Sequence, residues 1–268
     1  MRGFVVLSRS FCFMLLCGTT LGHVYAQGSH ELAATAVFDV VSIHPVHQGD
    51  TTPEHIANSS HTGSFRAENV PLKSLMEVAF DLPDTRMYGG PGWLTSDRFN
   101  VEAKADPMLD EELARLPEEQ GKEIKRAMLR TLLKERFKLT VHMETRTMQA
   151  YAMVTAKNGA KRNQGGQQEE VATAGEDRIA VRSGHNSMQV LAYELSWRLG
   201  RPVLDRTNMQ SNQALSLTWR DDTEASSDSD APSLAVALQE QLGLKLESTR
   251  ASVTVLLIDN AETLSEDH

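Results

Sequence analysis

Cysteine is almost absent from this sequence: its 268 residues include two, Cys12 and Cys17. Both lie in an N-terminal segment laid out like a secretory signal. Arg2 and Arg9 precede an apolar run from Phe11 to Leu21, and Val24-Tyr25-Ala26 supplies the small residues that precede a cut. A mature chain starting at Gln27 would carry no thiol, which excludes disulfides, zinc–thiolate sites and a cysteine nucleophile from it. Its stability then has to come from packing. Long apolar runs are missing too: the Phe11–Leu21 run is too short to cross roughly 30 Å of hydrocarbon, and no other stretch approaches ~18 apolar residues. No membrane span is therefore expected after signal cleavage. Positive charge is in deficit, with 27 Lys and Arg against 36 Asp and Glu. Removing the signal takes away two arginines and no acid, so the imbalance deepens, and nucleic acid is excluded as the main partner.

Local catalytic signatures are absent as well. No His-Glu-x-x-His, Gly-x-Ser-x-Gly, Ser-x-x-Lys, phosphate-binding loop or Gly-x-Gly-x-x-Gly occurs. No catalytic residue, cofactor or metal ligand is assigned on this basis, although a triad assembled from distant residues would leave no such trace.

What is present is an ordinary globular composition, 40% hydrophobic with 17 glycines, in a chain long enough for one large or two small domains. It also contains an internal repeat. Phe65-Arg66, with Pro71, Leu72, Leu75, Met76 and Ala79, aligns without a gap on Val181-Arg182, with Ser187, Met188, Leu191, Ala192 and Leu195. The same offset carries Phe99–Ala103 onto Leu215–Trp219, and a shorter one carries Leu133–Leu139 onto Leu238–Leu244. Three blocks in one order point to duplication.

Each copy reads as strand, helix, strands, helix, strands. In the first, Ser64 to Ala67 alternates as a strand, Asn69 and Pro71 signal a helix start, and Leu72, Leu75, Met76, Ala79 and Phe80 form one stripe. Phe99–Ala103, Leu139–Met143 and Ala150–Thr155 read as separate strands, and Glu118–Phe137 as a helix whose opening Gly121 and Pro117 blur. In the second, Asn186 or Ser187 caps a helix ended by Gly200, Leu215 to Trp219 alternates, Pro232 opens a helix closed by Gly243, and Val253–Ile258 is the last strand. The expected fold is α+β, two tandem β-α-β-β-α-β-like repeats with small mixed sheets, each packed with two helices. The expected organisation is a signal peptide over 1–26, an N-terminal arm and repeat one over 27–159, a linker over 160–175, repeat two over 176–262 and a tail over 263–268.

The second copy, with Gly200-Arg201-Pro202-Val203-Leu204-Asp205 followed by Leu242-Gly243-Leu244-Lys245-Leu246, resembles the short N-terminal domain of secretins and TonB-dependent receptors. A resemblance over nearly the whole mature chain rests on further blocks: Phe38–Pro45, Gly89-Gly90-Pro91-Gly92-Trp93-Leu94, Leu133–Leu139, Arg201–Thr207 and Glu240–Leu246. Together these resemble the soil-associated, acidobacterial duplicated orphan protein family, a domain of unknown function sometimes found with antibiotic-sensing membrane metallopeptidase receptors. The resemblance implies an exported bacterial protein and supplies no catalytic residues. This chain departs from it after Thr207, where Asn208-Met209-Gln210 replaces the family's glycine turn.

Four histidines, His44, His47, His55 and His61, cluster around a polar loop and are the best metal candidates. Their spacing does not make the rings converge, and exposed loop histidines are the favoured reading. Asp228-Ser229-Asp230 lacks the glycine and glutamate of a calcium loop. Glu135 and Glu240 occupy equivalent helix ends, which duplication explains without function, and His142 sits within a strand as a packed or edge histidine rather than a base. Tyr88 and Trp93 flank a glycine–proline turn and are the candidate partner contacts. A tight connection in which Trp93 plugs the gap between sheet and helix is the favoured reading of that turn.

The leading expectation is an exported, periplasmic or extracellular, non-enzymatic interaction module. Its partner would be an envelope protein in sensing or transport, met through sheet edges and the Trp93 turn. The alternative is an extracytoplasmic metal-binding protein or hydrolase using the His44–His61 loop or the cleft between repeats.

Overall fold

A computed structural model describes residues 32, 33, 35–47, 49–157, 159, 161, 176–181, 187–209, 214–220 and 231–264. The proposed signal, residues 160 and 162–175 of the expected linker, the candidate cap Asn186 and the acidic loop 221–230 lie outside this set. The fold is α+β and divides into two compact units, each formed from separate stretches of chain: Met1–Phe80 with Asp97–Leu133, and Asp81–Ser96 with Lys134–His268. No helix among the described residues is long and apolar enough to cross a membrane.

The first unit holds an antiparallel sheet in the order β1-β5-β3-β2, with β1 Val40–Pro45, β2 His55–Ala57, β3 Ser64–Pro71 and β5 Arg98–Lys104. Strict alternation builds it: Phe99, Val101 and Ala103 point inward, while Arg98, Asn100, Glu102 and Lys104 face water. β3 runs four residues past the expected end, because Asn69 acts as a bulge and not as a helix start. Its φ is 51°, its amide donates to Asn100 Oδ1, and its carbonyl accepts from Arg98. The ladder register shifts between Ala67 and Val70, which turns Val70 inward and carries the strand directly into α1, Leu72–Phe80. Asp106 caps α3, Pro107–Leu113, by accepting from the Met108 and Leu109 amides. α4, Glu118–Phe137, covers the expected span. Its Ile124 and Met128 join Leu109, Leu113 and Ala36 in one buried cluster.

The second unit contains a mixed sheet in the order β4-β10-β6-β8 and a two-stranded sheet of β7 with β9. These strands are β4 Met87–Gly89, β6 Thr140–Thr155, β7 Glu176–Val181, β8 Val203–Asp205, β9 Leu215–Arg220 and β10 Leu244–Asn260. Three helices complete it: α2 Trp93–Ser96, α5 Ser187–Leu199, and α6 Leu234–Ala237, which continues through a π-helical turn, Leu238–Leu242. Gly200 and Gly243 end their helices at φ 57° and 66°, the left-handed conformation expected of them. Asn208 takes φ 55°, a left-handed conformation that asparagine tolerates best after glycine. A core of Leu191, Leu195, Leu217, Trp219, Leu238 and Leu244 includes Met153 from β6. Trp219 is buried, whereas Trp197 is half-buried and edge-on to Tyr193.

Leu139–Met143 and Ala150–Thr155 are not two strands. One continuous β6 spans both, and β10 likewise begins nine residues before the expected Val253. The polar Thr145-Arg146-Thr147 stretch between those two segments is ladder-paired to Ser252, Val253 and Thr254. Backbone hydrogen bonding continues where side-chain alternation gives no sign of it.

From β7 to β10 the chain runs strand, helix, short strand, strand, helix, long strand; β3 to β6 follows the same order but with the additional short helices α2, between β4 and β5, and α3, before α4. The pairing recurs with it. β4 lies parallel to β10 with Met87 opposite Leu256, and β8 lies parallel to β6 with Val203 opposite Tyr151. Met87 and Val203 are 116 positions apart and Tyr151 and Leu256 are 105, the two offsets that relate the sequence blocks. The ungapped alignment of the first strands needs one correction. Ala67 faces Val101 and Ile179 faces Leu217, which sets β7 four residues away from where that alignment puts it. β3 runs straight into its helix, whereas five residues separate β7 from α5.

Candidate functional site

The central sheet is asymmetric along its length. β6 and β10 pair antiparallel from Thr155 opposite Leu244 to Thr140 opposite Asn260, with one irregularity near Ile258. Their outer neighbours are short: β4 covers Leu256–Ile258 and β8 covers Tyr151–Met153. Among the described residues, most of each long strand therefore has no further strand on its outer side. Arg86 covers one outward carbonyl beside β4, donating from Nε at 2.9 Å and from its terminal nitrogen to Thr254 O. Burial lowers the pKa of that guanidinium, with nearby Tyr193 acting in the opposite direction. Along the ribbon, Glu144, Thr145, Thr147, Gln149, Arg250 and Ser252 are exposed.

The Tyr88–Trp93 turn lies at one end of this ribbon. Gly89 and Gly90 adopt φ 82° and 78°, and both approach β10 closely. A Cβ on Gly89 would lie 2.9 Å from the Ile258 carbonyl oxygen, and one on Gly90 would lie 2.5 Å from Leu94 Cδ1 and 2.9 Å from Ile258 Cγ2. Both flanking aromatics have intramolecular neighbours. Trp93 stacks on the buried Phe137 ring at 6.3 Å, and the Arg146 guanidinium lies 5.0 Å from the Tyr88 ring centre. Each ring is half-buried, while Gly89 through Gly92 are exposed. Trp93 thus packs within the unit while part of it stays in water. Trp93→Ala is expected to lower stability by about 2 kcal/mol, less than a fully buried tryptophan would, as read from the denaturant midpoint.

The histidines do not converge. His44 is on β1 and His55 on β2, the two edge strands of the β1-β5-β3-β2 sheet. Three interstrand steps of about 4.8 Å separate those strands by roughly 14 Å, far beyond shared coordination. His44 Nε2 instead lies 2.9 Å from Ser42 Oγ. Among the described residues, no group of three or more His, Cys, Asp or Glu is placed to hold a metal ion. His142 Nδ1 is 2.9 Å from Asp259 Oδ2 across β6 and β10, with both side chains about half exposed. Water screens such a surface pair and leaves it worth little. Glu135 and Glu240 are exposed at their helix ends.

One buried ionisable group went unnoticed in the sequence. Lys125 is fully buried on α4. Its Nζ donates to the Ser64 carbonyl and lies 5.3 Å from the Phe38 ring centre. Burial drives its pKa down from 10.5 to about 8, opposed in part by the charge of Asp110. The signal was available, since Lys125 shares the helical face of Met128, Leu129 and Leu132 and is its one charged member. Between about pH 8 and 10.5 the unfolded chain holds a proton that the folded chain has released, so this group makes stability rise with pH across that window. Lys125→Met is expected to remove that rise, as measured by urea unfolding at pH 7.5 and 10.5.

A mixed α+β chain with several small sheets is the class of protein these features define. Residues 73–261 match the model of a family described as "Protein of unknown function (DUF3738)", and the chain belongs to that family. No curated protein and no solved structure matches it.

Proposed function

We propose that this chain is an exported, non-enzymatic interaction module that receives an extended segment of an envelope protein along the edges of its central sheet. The observation that carries this reading is the brevity of the outer strands. β4 and β8 cover three positions each, against sixteen and seventeen residues in β6 and β10. Unpaired strand edges present a row of amides and carbonyls to which another chain adds by backbone hydrogen bonding. The Gly89–Gly92 turn lies at one end of that edge, and the water-facing parts of Tyr88 and Trp93 enlarge the surface there. Export is supported by the signal-like first 26 residues.

A photo-crosslinking residue at Thr145 or Thr147 on β6, introduced in the cell that makes the protein, tests the reading. One discrete crosslinked envelope protein is expected, and a residue at the exposed Glu112 on α3 should give none. Equal labelling from all three positions would refute edge recognition.

A further inference from the structure

We infer that either half of this chain can pair with the complementary half of a second copy, giving a dimer in which the halves are exchanged. In the central sheet every pairing joins one copy of the repeat to the other: β4 with β10, β10 with β6, and β6 with β8. No strand in it pairs with a strand of its own copy. The short strand of each copy finishes the long strand of the other, in the same register both times. The core repeats the arrangement, because Met153 of the first copy is buried among residues of the second, with Tyr151 packed against that cluster.

Such contacts are indifferent to whether the two halves belong to one polypeptide. What favours the single chain is the covalent connection between β6 and β7, twenty residues from Thr155 to Glu176. A connection of that length holds the halves at an effective concentration on the order of millimolar. Dilute chains therefore close on themselves, and chains folding together at high concentration exchange halves at little cost. Once formed, the exchanged dimer persists, because its dissociation requires opening the β6–β10 ladder.

Complementation between two damaged full-length chains tests this. Met153 on β6, from the first copy, and Leu217 on β9, from the second, are both completely buried in the core of the second unit. Met153→Asp and Leu217→Asp chains are each expected to show no cooperative unfolding of that unit when refolded alone. Refolded together at equal concentration, they should give a species of two chains, one of each kind, with about half the second unit's unfolding amplitude per chain of the unaltered protein. A mixture no more folded than the sum of the separate samples overturns the proposal. Unaltered chains in light and heavy isotopic forms provide a measurement free of substitutions. After joint refolding at high concentration, native mass spectrometry should find mixed light–heavy dimers that survive dilution, and monomers alone would equally overturn it.

Discussion

Replacing Gly121 by alanine is expected to destabilise the protein by about 2–3 kcal/mol, although the same change inside an exposed helix would stabilise it by about 1 kcal/mol. Gly121 lies in the first turn of α4, where alanine is the better helix former. The surroundings decide the sign. A Cβ there would lie 2.3 Å from the backbone carbonyl oxygen of Ser60 and 3.3 Å from its side chain. A flexible side chain could swing away from such a contact, but a backbone carbonyl moves only with the loop that carries it. Helix 118–137 therefore has to shift or the 58–63 segment has to yield, and either costs packing in an interior that tolerates little volume change. Urea unfolding of Gly121→Ala beside the parent protein reads the effect directly, and an unchanged or raised midpoint would show that Ser60 does not constrain the helix.

Gly89→Ala is expected to cost about 3 kcal/mol, whereas Gly92→Ala in the same turn is expected to be nearly neutral. At Gly89 two penalties add. A left-handed φ costs an L-residue roughly 1–2 kcal/mol, and the new methyl meets the Ile258 carbonyl, adding about 1–3 kcal/mol of overpacking. Gly92 has no positive φ, and its added Cβ would meet nothing within 4 Å. The pair separates a turn whose glycines are demanded by the approach of β4 to β10 from one that is glycine-rich for partner binding. Thermal or urea midpoints of both variants give the comparison. Equal, small losses would mean that the turn is free to move away from β10.

Much of the architecture was legible because it follows from side-chain periodicity. The α4 span, the alternation in β5, the glycines ending α5 and the π-helical turn, and the burial of Trp219 all follow from which residues prefer an apolar face or a positive φ. Local features misled where the backbone acted without a matching side-chain signal. Asn69 reads as a helix start and is a strand bulge. Leu139–Met143 and Ala150–Thr155 read as separate strands and belong to one, because an exposed ladder needs no apolar alternation between them. Lys125 disappeared into a helix whose other charges face water, since a single buried amine looks like any surface lysine until its surroundings are seen. The histidine loop showed the converse limit. Closeness along the chain placed His44 and His55 together, and a sheet order with two strands between them set them apart.

The amino-acid sequence alone determined that this is an α+β chain without thiol chemistry in its proposed mature form, with similar blocks related by two offsets. Those properties are local, set by residue type and spacing. Only the tertiary structure decided which copy each strand would serve. Backbone amides and carbonyls carry no label of origin, so a short strand pairs with whichever edge the packing of the helices presents, and here β4 and β8 each pair with the long strand of the other copy.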